Sequence, residues 1–286
     1  MNKGLEQVTT IAEVRKRVSL AKQQGKRIGF VPTMGYLHAG HVSLVEKARQ
    51  NCDFVVMSIF VNPLQFGPNE DFSRYPRDIE HDREVAGAAG VDLLFTPTVE
   101  EMYPSTVLTT VSVTQVSEPL CGKSRPGHFD GVATVVLKLF QIVQPDAAFF
   151  GQKDAQQLAV IQQMVRDLSV PVDIVPCPIK REKDGLAMSS RNVYLSAEER
   201  EQALILSRSL QQAQAELKPG ALAREVRENI VRTIETQPLA DIDYVEILQY
   251  PSLEPVTTLQ KGQQVIVALA VRFGHTRLID NEIVTI

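Results

Sequence analysis

Apolar residues recur along this chain with two spacings, and each spacing predicts a different element. Near the start, Thr10 and Glu13 have the spacing of a helix capping box, and the apolar residues that follow repeat every three or four positions until Gly25. Short and almost entirely apolar runs such as 54–61 predict strands that are buried on both faces of a parallel sheet. Strands are predicted at 27–32, 53–61, 91–95, 147–150 and 172–175, and helices at 41–51, 78–89, 131–143 and 154–168.

The order of elements changes after the polar stretch 180–192. Ser196 and Glu199 form a second capping box, which predicts a helix to about Leu217. A helix at 221–235 and three strands at 243–249, 263–273 and 276–283 follow, while 106–116 is predicted as an inserted antiparallel strand or hairpin. We therefore predict an α/β fold, a Rossmann-like doubly wound parallel sheet (1–187), with a smaller α+β C-terminal lid domain (188–286).

Composition and charge exclude several functional classes. Thirty Lys and Arg against 34 Asp and Glu give a formal charge of −4, so the basic excess typical of nucleic-acid binding is missing. The three cysteines, Cys52, Cys121 and Cys177, are too far apart for a zinc ribbon or a disulfide framework. No apolar run has the length of a membrane span or a signal peptide, so a cytoplasmic protein without a membrane partner is expected.

The strongest candidate for chemistry is the segment 32–41, between a predicted strand and a predicted helix. His38 and His41 are three residues apart, so they share one face of a first helical turn. The helix N-terminus adds free amides and a positive dipole end, which suit a phosphate. Gly40 lets a flat ligand approach the backbone. The alternative is a pair of surface histidines beside an ordinary turn.

Two further polar segments could serve the same ligand. Gly151, Lys153 and Asp154 lie at a strand-to-helix junction, although a helix cap alone would explain the aspartate, and Gln157 follows one turn later. The mobile loop 184–192 offers tandem serines and an arginine for a polyphosphate, and its alternative is a domain linker.

Two shorter stretches belong with them. Asn62 and Gln65 follow the carboxyl end of the second strand, where open α/β sheets bind ligands. Arg125 and His128 precede a helix in a rigid turn and are candidates for the phosphate side.

Five motifs in order carry a family resemblance over the whole chain. They are PTMGYLHAGH (32–41), FVNPLQF (60–66), SRPGHFDGV (124–132), FGQKDAQQ (150–157) and DGLAMSSRN (184–192). The HxGH and MSSR segments resemble the two phosphate loops of the nucleotidylyl-transferase superfamily. The full set resembles the pantothenate synthetase (pantoate–β-alanine ligase) family.

The resemblance implies an ATP-dependent acid–amino-acid ligase, which joins (R)-pantoate to β-alanine and gives (R)-pantothenate, AMP and pyrophosphate through an enzyme-bound pantoyl adenylate. It implies His41, His38, Lys153 and Arg191 as the catalytic residues, with the residue at position 41 as a proton donor. The implied ATP-binding residues are Met34, Gly35, Tyr36, Leu37, His38, Ala39, Gly40, His41, Gly151, Gln152, Lys153, Asp154, Lys180, Met188, Ser189, Ser190 and Arg191. The implied pantoate and β-alanine residues are Gln65, Gln157, Asn62 and Met34.

The resemblance also implies Mg²⁺ and a homodimer. Some relatives have adjacent acidic residues after the YPR stretch, whereas this chain has His81 and Asp82, so Asp82 is the remaining candidate ligand. Mg²⁺ also binds through phosphates and water.

Three rival functions stay open at the level of the sequence. The first is another HxGH adenylyltransferase of cofactor biosynthesis, which would leave the nucleotide on its product. The second, an aminoacyl-tRNA synthetase, conflicts with the acidic charge balance. The third, a nucleotide-binding regulatory domain without catalysis, conflicts with the intact His38, His41, Lys153 and Arg191.

Overall fold

The structure, a computed structural model, describes residues 4–68 and 70–286. It divides into two compact units. Unit 1 comprises the residues up to Val113 together with Arg125–Gln152 and Val160–Pro178, and unit 2 comprises Thr114–Ser124, Lys153–Ala159 and Ile179–Ile286.

Unit 1 is built on a six-stranded parallel sheet in the order β1-β4-β3-β2-β5-β6. The central strands read as continuous apolar runs because helices cover the sheet, and Val31, Val55 and Phe149 are fully buried in the core. This arrangement confirms the predicted Rossmann-like doubly wound sheet. Its strands are β1 (Glu6–Val8), β2 (Ile28–Thr33), β3 (Phe54–Ile59), β4 (Leu93–Phe95), β5 (Ala147–Gly151) and β6 (Asp173–Cys177).

The helices of unit 1 begin where the sequence supplies caps. The capping box predicted at Thr10 and Glu13 is present, because each residue's side chain accepts a hydrogen bond from the other's backbone N–H. Asp78 likewise accepts from the amide of His81 at the start of the third helix. The helices are α1 (Ile11–Gln23), α2 (Ala39–Asn51), α3 (Ile79–Ala89), α4 (Val99–Met102) and α6 (His128–Val143), whereas α5 (Cys121–Ser124) belongs to unit 2 and α7 (Ala155–Asp167) is divided between the units.

Unit 2 contains a three-stranded antiparallel sheet with helices packed on it. Buried aliphatic residues of the sheet and helices, among them Val267, Leu269 and Leu210, form its core. The predicted capping box of Ser196 and Glu199 is present. The elements are α8 (Ala197–Ala203), α9 (Ile205–Ala213), α10 (Ala223–Ile234), β7 (Ala240–Gln249), β8 (Gln264–Phe273) and β9 (Thr276–Thr285).

Two predictions about individual elements were wrong, and one strand was missed. The segment 106–116 is not a strand: Val111 donates its N–H to the Thr134 hydroxyl at 2.9 Å and not to a neighbouring strand. The helix predicted to run to about Leu217 is broken at Leu204, whose N–H bonds to Glu201 in a tighter turn. Strand β1 was missed because three residues carry too little pattern.

The division into units also differs from the predicted boundary between residues 187 and 188. It falls between Pro178 and Ile179, and two earlier stretches, Thr114–Ser124 and Lys153–Ala159, group with unit 2. Chain order alone does not reveal this, because these short stretches are assigned by their contacts in space. Among the described residues, no helix is both long enough and apolar enough to cross a bilayer.

Candidate active site

The two histidines of the HAGH segment cap helix α2 reciprocally. His38 is the N-cap residue, and its Nδ1 accepts from Gly40 N at 3.1 Å, while Nδ1 of His41 accepts from His38 N at 3.2 Å. The ring centroids are 4.1 Å apart, so the prediction that the two rings share one face is confirmed. Because a backbone N–H can only donate, both Nδ1 atoms are acceptors, and each neutral ring carries its proton on Nε2.

The loop before these histidines is anchored by helix α3. Asp82 is only 1% exposed, and its two carboxylate oxygens accept from Tyr36 N at 2.9 Å and Leu37 N at 2.6 Å. His81, the residue before Asp82, places Nε2 at 3.2 Å from the Leu37 carbonyl oxygen. Gly35 has φ +89°, and a Cβ there would lie 2.8 Å from an Asp82 oxygen. Only glycine therefore fits this turn.

These contacts give Asp82 a role in positioning the loop, and its assignment as a metal ligand stays a prediction. Burial raises the pKa of its carboxyl, although the amides of Leu37 and Tyr36 act in the opposite direction. Both of its oxygens already bind the loop, so Asp82 positions the backbone. Within residues 4–68 and 70–286, no group of three or more His, Cys, Asp or Glu residues could hold a metal ion.

The predicted pantoate residues Asn62 and Gln65 lie on a buried polar turn in unit 1. Asn62 caps the 3-10 helix Pro63–Gln65, and its Nδ2 lies 3.3 Å from Gln65 Oε1 and 3.1 Å from the Gly131 carbonyl oxygen. Gln65 Nε2 lies 3.0 Å from the sulfur of Met34. The structure thus brings three of the four predicted residues together, whereas Gln157 lies on α7 in unit 2.

The two phosphate-side candidates are engaged with this same turn. The Arg125 guanidinium binds both carboxylate oxygens of Glu70, at 2.6 and 2.5 Å, and also donates to the Gln65 carbonyl oxygen. His128 Nδ1 lies 2.8 Å from that same carbonyl. Burial alone would raise the pKa of Glu70, but the Arg125 guanidinium outweighs it and the pKa is lowered. Both candidates therefore hold the Gln65 backbone.

The segment Gly151–Asp154 leads from β5 into a 3-10 helix and then into α7. A Cβ added at Gly151 would meet no atom within 4 Å, so this glycine leaves open space beside the backbone. Lys153 Nζ is 3.9 Å from Asp154 Oδ2, and Asn281 of unit 2 donates to the Lys153 carbonyl oxygen at 2.9 Å.

The neighbouring Gln156 was missed by sequence reasoning. Its buried amide accepts from Cys121 N and donates to the carbonyl oxygens of Val116 and Pro119. No local pattern indicates these partners, because they lie more than 30 residues away along the chain.

The loop 184–192, which was predicted to bind polyphosphate, is a hydrogen-bonded hairpin in unit 2. Met188 N donates to the Lys180 carbonyl oxygen at 3.0 Å, and Gly185 turns the chain at φ +100°. Ser189 caps the 3-10 helix Ser190–Tyr194 by accepting from Arg191 N at 3.2 Å. These contacts hold together the last four predicted ATP-binding residues, Met188, Ser189, Ser190 and Arg191.

Ion pairs that the sequence does not reveal brace this hairpin. Arg181 binds both oxygens of Asp280, at 2.6 and 3.0 Å, and Arg200 binds Glu182 and Asp184. Burial alone would lower the pKa of Arg181, but Asp280 keeps it raised, so the guanidinium stays charged.

Known proteins of a single family match this chain over almost its whole length. The pantoate-beta-alanine ligase family profile matches residues 6–283. A pantothenate synthetase of Acetivibrio thermocellus is 58% identical over 280 residues, covering 98% of this chain and 99% of the relative. A pantothenate synthetase of Caldicellulosiruptor saccharolyticus is 55% identical over 280 residues, covering 98% of this chain and 99% of the relative.

Solved structures agree with the sequence relatives. The crystal structure of pantothenate synthetase from Thermus thermophilus has a TM-score of 0.90 at 48% identity and covers 97% of this chain and 98% of that one. A pantoate-beta-alanine ligase from Francisella tularensis, complexed with beta-gamma ATP and beta-alanine, has a TM-score of 0.78 at 35% identity, covering 97% of both chains. The chain belongs to the pantoate–β-alanine ligase family, whose activity is the ATP-dependent condensation of pantoate with β-alanine.

Proposed function

We propose that this chain carries out the condensation in two steps, through an enzyme-bound pantoyl adenylate. In the first step, a carboxylate oxygen of (R)-pantoate attacks the α-phosphorus of ATP, and pyrophosphate leaves. In the second, the amine nitrogen of β-alanine attacks the acyl carbon, the bond to AMP breaks, and the nitrogen gives up a proton. Activation is needed because a free carboxylate is a poor acyl donor in water.

The arrangement of His38 and His41 carries this proposal. Reciprocal capping holds both rings at the N-terminus of α2 with the proton of each neutral ring on Nε2. An N–H donor beside the positive end of a helix dipole suits the negative charge that grows on a phosphoryl group in the transition state. We assign both residues to the α-phosphate of ATP, with His41 as the proton donor.

The remaining ATP contacts are assigned to three segments and to Lys180. Met34–His41 would line the nucleotide, and Gly151–Asp154 would approach it through backbone that leaves open space at the glycine. Lys153 and Lys180 supply point charges for phosphate oxygens. The segment Met188–Arg191 offers hydroxyls and one planar guanidinium for the pyrophosphate that leaves.

Pantoate is assigned to the glutamines at 65 and 157, with Asn62 and Met34 beside the first and β-alanine near Gln65. Neutral amides suit a polyhydroxy acid, because they donate to hydroxyl and carboxylate oxygens without introducing a full charge. Gln65 is 9% exposed and Gln157 is half-buried, so each amide that meets the substrate is partly shielded from water.

Mg²⁺ is assigned to the phosphates of ATP, with Asp82 as the candidate protein ligand. Among the described residues, no group of three or more His, Cys, Asp or Glu residues could hold the ion by itself. Mg²⁺ keeps several waters and binds phosphate oxygens, so we infer that it enters with ATP.

Kinetics of the two glutamine variants test the assignment of pantoate. Gln65→Ala and Gln157→Ala are each expected to raise the KM for pantoate by about tenfold or more and to leave the KM for ATP within about twofold. The rise is expected because each variant loses hydrogen bonds to a charged substrate. Gln163→Ala is the matched control, because Gln163 lies further along α7 and bonds Asp167. Equal rises in both KM values would overturn the specific assignment.

A homodimer and a cytoplasmic location complete the proposal. Val107 and Leu108 are 37% and 92% exposed in a segment that joins neither sheet within the described residues. A second copy of the chain would cover these side chains. Sedimentation should give twice the chain mass, and Leu108→Asp should shift it toward the monomer; a wild-type monomer at micromolar concentration would contradict the dimer.

A further inference from the structure

The hydrogen bonds around Gln65 determine which end of its amide faces outward. We propose that Tyr103 is a positioning residue that acts through Asn62 and holds Gln65 with its amide nitrogen, not its oxygen, toward pantoate. This inference rests on the proposed role of Gln65 in binding pantoate, and it adds a residue that no motif of the sequence singled out.

The orientation of Asn62 follows from two backbone groups whose roles cannot change. Leu64 N, which can only donate, lies 3.3 Å from Asn62 Oδ1. The Gly131 carbonyl oxygen, which can only accept, lies 3.1 Å from Asn62 Nδ2. The amide oxygen of Asn62 therefore faces Leu64, and its nitrogen faces Gly131.

This orientation makes Tyr103 a donor. Its hydroxyl lies 2.9 Å from Asn62 Oδ1, which accepts, so the phenolic proton points at the asparagine. Burial raises the pKa of Tyr103 to about 12, and the hydroxyl keeps that proton at neutral pH. Its ring lies 6.0 Å from the Phe60 ring, and Lys138 Nζ is 5.1 Å from the Tyr103 centroid. These contacts fix the ring without using the hydroxyl.

The orientation of Asn62 in turn determines the orientation of the Gln65 amide. Asn62 Nδ2 donates to Gln65 Oε1 at 3.3 Å, so the oxygen of Gln65 is turned inward. Its Nε2 then lies on the other side of the amide, 3.0 Å from the Met34 sulfur, which is a weak acceptor. A carboxylate or hydroxyl oxygen of pantoate is a much better acceptor than a thioether. Gln65 is therefore set to donate.

The backbone of Gln65 is held separately from its side chain. Its carbonyl oxygen lies within hydrogen-bond distance of Arg125 and His128, and neither contact involves Tyr103. The Tyr103 hydroxyl gives Asn62 Oδ1 its shorter hydrogen bond, 2.9 Å against 3.3 Å from Leu64 N. Removing that hydroxyl should keep the orientation of Asn62 but weaken the restraint on its amide and on Gln65, and it should leave the turn in place. Such a change acts on the binding of pantoate and leaves the binding of ATP unaffected.

The test is a double-mutant cycle of Tyr103→Phe and Gln65→Ala, with the KM for pantoate, the KM for ATP and kcat measured for each variant. Tyr103→Phe should raise the KM for pantoate about 3- to 10-fold, with the KM for ATP and kcat within about twofold. In the Gln65→Ala background, Tyr103→Phe should have no further effect. Tyr250→Phe is the matched control, because the buried Tyr250 hydroxyl has no hydrogen-bond partner among the described residues.

A Gln65→Glu variant tests the donor assignment directly. It keeps one oxygen for Asn62 and replaces the outward nitrogen with a second oxygen, so it should bind pantoate worse than Gln65→Ala. Glutamate binding pantoate as well as glutamine does would overturn the donor role. A Tyr103→Phe effect that adds fully to Gln65→Ala, or no effect at all, would overturn the role of Tyr103.

The outcome for Gln65→Ala alone separates the two levels of the argument. If that variant leaves the KM for pantoate unchanged, the proposed function of Gln65 fails, and the inference fails with it. If it raises the KM while Tyr103→Phe matches wild type, the proposed function stands and only the inference is lost.

Discussion

Gly131 lies in helix α6 where the helix passes directly against the Gln65 turn, and replacing it with alanine should disturb both stability and substrate binding. A Cβ at this position would lie 2.5 Å from the Leu64 carbonyl carbon and 2.7 Å from Gln65 Cα, and closer still to the Leu64 oxygen. Carbon atoms in contact sit about 3.5–4.0 Å apart, so helix and turn must separate by about 1 Å. All of these neighbours are backbone atoms, which cannot rotate aside.

The sign of the effect follows from two opposing magnitudes. Alanine is preferred to glycine in a helix interior by about 1 kcal/mol, whereas overpacking of this kind costs about 1–3 kcal/mol. The clash should win, and Gly131→Ala should lower the free energy of unfolding by up to about 2 kcal/mol. Because a misplacement of about 1 Å can reduce rates about 100-fold, kcat/KM for pantoate should fall by about 10- to 100-fold.

Gly87 provides the matched control, since it also lies inside a helix of unit 1. A Cβ there would lie 3.7 Å from Leu5 Cβ, which is ordinary contact. Gly87→Ala should therefore raise the free energy of unfolding by up to about 1 kcal/mol without changing kinetics. Urea unfolding and pantoate kinetics of both variants decide the matter. A Gly131→Ala enzyme as stable and active as Gly87→Ala would refute the reasoning.

Two further predictions concern the histidines and the Arg125–Glu70 pair. His38→Ala or His41→Ala should lower turnover about 100- to 1000-fold. His38→Asn should restore the helix cap, as measured by thermal unfolding, but should not restore turnover. Near wild-type turnover in the alanine variants would contradict the assignment of the two histidines to the α-phosphate. The folded-state pKa of Glu70 is lowered from the ordinary glutamate pKa of 4.5. The ion pair with Arg125 therefore contributes its full stabilisation above pH 4.5, and that stabilisation is lost as the pH falls through the folded-state pKa. Glu70→Gln should lower the free energy of unfolding by about 1–3 kcal/mol at pH 7 and much less near pH 3, and a pH-independent difference would argue against the pair.

The sequence predicts well what is encoded locally. The capping boxes at Thr10 and Ser196 depend on residues three apart, and both form as predicted. The pairing of His38 with His41 is equally local, and the alternating strands and helices lead to the parallel sheet.

The sequence does not reveal contacts between distant segments. Tyr103 is 41 residues from Asn62, and Arg125 is 55 from Glu70, so no spacing rule connects them. Asp82 illustrates the same limit, because a carboxylate that looks like a metal ligand binds two loop amides 45 and 46 residues away. Residue type suggested chemistry at Arg125 and Asp82, and only the fold shows that their side chains bind backbone groups.

The most direct test of the two-step mechanism is pyrophosphate release in the absence of amine. Enzyme mixed with ATP, Mg²⁺ and (R)-pantoate should release pyrophosphate in a burst close to the enzyme concentration and then nearly stop, and β-alanine should restart turnover with release of AMP. Arg191→Ala should slow the burst and leave the reaction of preformed adenylate with β-alanine largely intact. Pyrophosphate that appears only when β-alanine is present would contradict the adenylate mechanism.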